Sequence, residues 1–77
     1  MKTLEEFVAL FAEQFDDTDA SEIKAETQFR DLEEWSSFLA LAIMAMIKSK
    51  YDVAVTAQEM RDAQTVQELF DIVKSHC

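Results

Sequence analysis

A chain of 77 residues, 49% of them apolar, can bury one small core and has no room for a second. It contains neither Gly nor Pro, which excludes glycine-rich phosphate loops and argues against tight β-hairpins. The expected architecture is therefore all-α, one domain over residues 1–77. The formal charge of −9 argues against nucleic acid as a partner and favours a basic protein surface.

The charge is unevenly spread. Residues 1–34 hold 11 acidic and 3 basic side chains, whereas residues 35–77 hold 5 and 4. The first half is the anionic half.

Thr3-Leu4-Glu5-Glu6 reads as a capping box, in which the threonine hydroxyl and the glutamate each satisfy a free amide at the helix start. Leu4, Phe7, Val8, Phe11 and Phe15 follow at helical spacing, predicting a first amphipathic helix to about residue 15. Asp16-Asp17-Thr18-Asp19 invites a calcium-loop reading. An EF-hand loop needs Gly at its sixth position and Glu at its twelfth, and Glu22 and Gln28 stand there when Asp17 is the first. A solvated acidic loop is the expectation, with no metal.

Residues 16–36 form a connection long for so small a domain. Ile23, Phe29, Leu32 and Trp35 are spaced irregularly, as anchors pinning a loop to a core would be. Asp31, Glu33 and Glu34 make its far end negative.

Ten uncharged apolar residues, Phe38 to Ile47, come next. The run is too short to span a bilayer, which needs about 20 residues. With Leu, Ala and Met dominant it reads as a buried helix, over Ser37 to Tyr51, with Ser36 as N-cap. At about 100° per residue, Ala40, Ile43, Met44, Ile47 and Tyr51 share the side expected in the core. Phe38, Ala42, Ala45 and Ser49 form the expected outer strip. After a short extended connection, Thr56-Ala57-Gln58-Glu59 and Thr65-Val66-Gln67-Glu68 repeat the capping box. They open a short helix through Arg61 and a last helix whose Val66, Leu69, Phe70 and Val73 share a face. Four helices, with a long first connection and a short third helix, are predicted.

Two hydroxyls thus sit where the central helix begins. Free amides and the helix dipole favour an anion there, and a phosphodiester on Ser37 would be stabilised. Serines at helix starts are common, however, and simple capping is their ordinary explanation.

The order of helix, long loop, Phe29, serine and an apolar helix ending in Tyr51-Asp52 resembles an acyl carrier protein from Leu4 to Val73. In that family an Asp-Ser-Leu motif carries 4′-phosphopantetheine on its serine. The resemblance implies that Ser37 is the attachment residue, with Ser36 in the place of the Asp and Phe38 in that of the Leu. Phe29 matches the Phe eight residues before the serine, and Thr65-Val66 the Thr-Val that opens the last helix. The chain departs from the family at Ser36 and in lacking the Gly that usually precedes the motif. Acidic side chains that family members often present along the central helix are replaced by Leu39, Ala42, Lys48 and Ser49, which implies a changed partner surface.

What the resemblance implies is a carrier and not an enzyme. An acyl group is held as a thioester on the arm, for fatty-acid, polyketide or related synthesis. The implied partners are a phosphopantetheinyl transferase and acyl-transfer, synthase or ligase enzymes. Met44, Met46 and Met60 are candidates to line an acyl cavity, since methionine adapts to variable shapes, and Asp52 and Asp62 to stand at its entrance. The alternative is a helical interaction module that keeps the carrier fold without being modified, which Ser36 and the weakly polar outer strip favour. Trp35 is read as a loop anchor, and His76 is given no role. A single cysteine, Cys77, and the lack of an apolar signal region suit a cytoplasmic protein, expected to be a monomer.

Overall fold

The computed structural model describes residues 3–76. Four helices follow one another: α1 (Leu4–Ala12), α2 (Ser37–Tyr51), α3 (Ala57–Asp62) and α4 (Val66–Ser75). No described residue is in a strand, and the connection from α1 to α2 holds two single 3₁₀ turns, Ala20–Glu22 and Phe29–Asp31. This is the small all-α bundle with a long first connection expected from the pattern.

Every helix starts at the hydroxyl the sequence marks. Thr3, Ser36, Thr56 and Thr65 each accept from an amide three residues on, at 3.1–3.3 Å. The three boxes differ in their second half. At α3 the exchange is complete, Glu59 accepting from the Thr56 amide at 3.0 Å. At α4, Glu68 reaches one residue further back, to the Gln64 amide at 2.7 Å. At α1 only the Thr3 half forms.

α1 ends at Ala12, not near residue 15. The chain tightens there, with the Gln14 and Phe15 amides donating to carbonyls three residues back. That turn still delivers Phe15 to the core, where it packs 5.6 Å from Phe11 between ring centroids. α2 ends in a left-handed residue, Asp52 at φ 56°. Glycine normally takes this position; without one, the chain uses Asp, among the residues that tolerate it best. Its carboxylate meets Lys48 Nζ at 3.1 Å.

Along α2 the buried side is rotated from the expected one. Ile43, Ile47 and Tyr51 are buried as expected, but so are Leu39 (4% exposed) and Met46 (6%). Ala40 and Met44 lie half-buried beside the core, and Ala42 is half-buried instead of outward. A run without polar residues gives the helical period no phase. On the outer side Phe38 (77%), Ala45 and Ser49 are exposed as expected, joined by Leu41 (64%).

The long connection is stitched down at its middle and by its aromatic residues. The amides of Val66 and Gln67, free at the start of α4, donate to the carbonyls of Thr27 (3.2 Å) and Ala25 (2.8 Å). Phe29, wholly buried, has its ring centroid 5.4 Å from that of Phe11 and 4.9 Å from that of Trp35. Ile23 is buried, while Leu32 and Trp35 pack partly buried against the same core. Phe29→Ala should therefore cost about 3–5 kcal/mol, most of the stability of a domain this small. Phe38→Ala should stay within about 0.5 kcal/mol. Urea midpoints of the two variants check the contrast.

Candidate functional site

Three pieces of chain meet at the start of α2: the end of the long connection, α2 itself and α3. Between them lies a cavity of about 310 Å³, lined by Arg30, Trp35, Ser37, Ala40, Leu41, Met44, Ala57, Met60 and Arg61. Its wall is mostly apolar. The register of α2 explains the lining, because Ser37, Ala40, Leu41 and Met44 recur at three- and four-residue steps on one side.

The two neighbouring serines are placed differently. Ser36 is extended and uses its Oγ to accept from the Leu39 amide at 3.3 Å, closing the first turn. Ser37 is the first residue of the helix, exposed, and borders the cavity. Its hydroxyl has no hydrogen-bond partner among the described residues. Phe38 points away from the cavity to solvent. The last free backbone amides of the turn lie beside these residues, where the dipole favours negative charge.

Just ahead of the serines, the acidic surroundings are not all loose solvated charge. Glu34 is a clamp. Its Oε2 accepts from the Asp16 amide (2.7 Å), and its Oε1 from the Asp17 amide (3.0 Å), the Thr18 amide (2.9 Å) and Thr18 Oγ1 (2.8 Å). The carboxylate thus ties the end of the connection back to the turn after α1. Desolvation raises its pKa, but the hydrogen bonds from Asp16, Thr18 and Asp17 together outweigh it and hold the group below the ordinary glutamate value. Among the described residues no three His, Cys, Asp or Glu side chains converge on a metal site.

The methionines divide. Met44 and Met60 line the cavity, while Met46 faces the core and does not. Asp52 and Asp62 are not among the residues that line it; Asp52 pairs with Lys48 and Asp62 accepts from Gln58 at 3.0 Å. The rim holds Arg30 and Arg61 instead, which the sequence did not single out. Trp35 is both anchor and wall, 30° from parallel with the Phe15 ring at 6.4 Å. His76, given no role from sequence, places Nε2 2.7 Å from Glu59 Oε2 and so joins the end of α4 to the cap of α3. The Thr56 amide, and after it His76, hold the Glu59 carboxyl below its ordinary range.

The family model described as a phosphopantetheine attachment site matches residues 5–73. The chain belongs to that family. Its members bind 4′-phosphopantetheine covalently, so the four helices form a phosphopantetheine carrier domain. The match spans all four helices, from the second residue of α1 well into α4. No curated protein and no solved structure matches the chain.

The Glu34 clamp makes a prediction for pH. Because its folded pKa is lowered, its stabilising effect is complete above the unfolded value of about 4.3. The effect is lost as pH falls through the lower folded value. Protonation also relieves the repulsion of a chain at −9, so wild-type melting alone confounds the two. The gap in melting temperature between wild type and Glu34→Gln should be largest near pH 7 and shrink towards pH 3. Circular dichroism melts of both proteins across that range measure it.

Proposed function

We propose that this carrier domain is an acyl carrier protein whose 4′-phosphopantetheine arm is attached to the hydroxyl of Ser37. The observation that carries this reading is the contrast between adjacent serines. The Ser36 hydroxyl is engaged in capping α2, whereas that of Ser37 is exposed, unpartnered and beside the cavity. A phosphodiester on Ser37 would sit in the first turn of α2, where amides and dipole stabilise an anion.

When bound, the arm supplies a thiol that holds an acyl group as a thioester. The chain's own residues supply a rigid attachment point and shelter. Ser36 fixes the first turn, Glu34 fixes the connection leading to it, and Met44, Met60 and Trp35 offer an apolar wall to cargo. No catalytic step is assigned to the domain. Its partners are a phosphopantetheinyl transferase and the enzymes that load, extend or remove an acyl group in fatty-acid, polyketide or related synthesis. A cytoplasmic, monomeric protein fits the single cysteine, and no described helix is long and apolar enough to cross a membrane.

A second reading, an interaction module that is never modified, draws on one observation. Phe38 and Leu41 stand exposed one turn apart on an α2 that carries no acidic residue. Such a ridge would dock on a partner with or without an arm.

Intact mass separates the readings. After incubation with coenzyme A and a broad-specificity transferase, wild type should gain one phosphopantetheine and Ser37→Ala none. Ser36→Ala should still be loaded, while losing about 0.5–2 kcal/mol of stability with its cap. Loading of Ser37→Ala would move the site to another hydroxyl, and no loading of wild type by several transferases would favour the unmodified module.

A further inference from the structure

The cavity beside Ser37 has a basic rim in a chain that is otherwise strongly acidic. Arg30 and Arg61 are the only two arginines in the sequence, and both border it. They come from different elements, the 3₁₀ turn ahead of Trp35 and α3. Arg30 Nη1 donates to the Met60 carbonyl at 2.8 Å, and its guanidinium carbon lies 5.5 Å from the Phe29 ring centroid. That contact keeps the group at the α3 side of the cavity. Arg61 Nη2 donates to Gln58 Oε1 at 3.3 Å. A guanidinium has five N–H donors, so both retain unused ones. Among the described residues neither is ion-paired, although 16 carboxylates are available.

The interior beyond the rim is apolar and small. About 310 Å³ lies at the lower end of the range for ligand pockets. A neutral alkyl chain would use the wall of Met44 and Met60 but has no need of two guanidiniums. Arginine's planar fork suits a carboxylate.

We propose that this cavity receives a short acyl chain ending in a carboxylate, its methylenes against Met44 and Met60 and its charge on Arg30 and Arg61. The proposal rests on the assignment of the arm to Ser37. Both arginines are exposed, so the preference over a neutral chain of equal length should be modest, about two- to five-fold. Added salt should weaken it.

The test charges the Ser37 arm with glutaryl or with pentanoyl, two five-carbon acyl groups, and verifies occupancy by intact mass. Nuclear magnetic resonance then reads the Nε–Hε signals of the two arginines. Glutaryl should shift both signals, while pentanoyl and the uncharged arm leave them in place. In Arg61→Gln the glutaryl-induced shift at Arg30 should shrink. Arg30→Lys serves as the second variant, since it keeps the charge but loses the fork. Equal shifts from the uncharged arm would assign the arginines to the arm's own phosphodiester and overturn the proposal. Equal shifts from pentanoyl, or none from glutaryl, would also overturn it. The same acyl groups offered as free pantetheine thioesters to the unmodified protein test the cavity separately. A two- to five-fold preference for glutaryl there supports the proposal even where mass shows no arm at Ser37, and equal binding refutes it. Failure of attachment is thereby distinguished from failure of cargo recognition.

Discussion

The position of Ser37, the proposed attachment residue, depends on a row of aromatic rings. Phe70, Phe7, Phe11, Phe29 and Trp35 follow one another at centroid distances of 4.9–6.3 Å, linking α4 through α1 to the long connection. Residues 13–36 have no helix longer than a single 3₁₀ turn, so backbone hydrogen bonds alone would leave them loosely placed. Inserting Phe29 between the connection and α1 turns a flexible tether into part of the core. Such rings bury large areas, and each pair adds about 0.5–1.5 kcal/mol beyond burial. Because Trp35 directly precedes the Ser36 cap, the core's geometry passes to the start of α2 with one residue between.

The acidic balance has a structural use as well as a net sign. Without glycine, the chain takes up left-handed backbone only at Asp52 among the described residues, and carboxylates take over part of the work of closing turns. Glu34 satisfies three amides of residues 16–18, Glu59 and Glu68 satisfy amides at the starts of α3 and α4, and Asp19 accepts from Ser21. For Asp19 the Ser21 amide and then its hydroxyl lower the pKa. Carboxylates spent this way face backbone amides and offer less charge to a partner. The remaining acids still repel one another, and salt should weaken that repulsion more than it weakens the short hydrogen bonds.

The starts of α1, α3 and α4 were legible because a hydroxyl three residues before a glutamate is a local signal, read within one turn. The last helix was legible too: Val66, Leu69, Phe70 and Val73 alternate with polar residues that set the phase, and all four are buried. α2 was legible in extent but not in rotation, since Phe38 to Ile47 has no polar residue to mark the solvent side. Leu39 and Met46, absent from the expected core side, are both buried. Contacts distant in sequence were beyond reach. The Glu34 clamp spans 16–18 positions, the Arg30–Met60 bond 30 and the His76–Glu59 contact 17. The clustering of both arginines at one rim follows only once the connection is folded against α3. A signal was present nonetheless, in two arginines standing out among 16 acids.

If Ser37 carries the arm, Ser36 stands where the family places an acid, and these placements give that exchange a meaning. As helix caps, serine and aspartate are nearly equal, so the exchange need not disturb the first turn of α2. What changes is charge. A carboxylate beside Ser37 would oppose an anion in the first turn and attract Arg30 and Arg61. Glu34, the last acid before Ser36 in the sequence, is already committed to the amides of residues 16–18. The amides at the start of α2 and the two arginines that line the cavity with Ser37 both favour negative charge there. In the same helix the exposed Phe38 and Leu41, without any acid beside them on α2, favour contact by apolar burial over charge pairing.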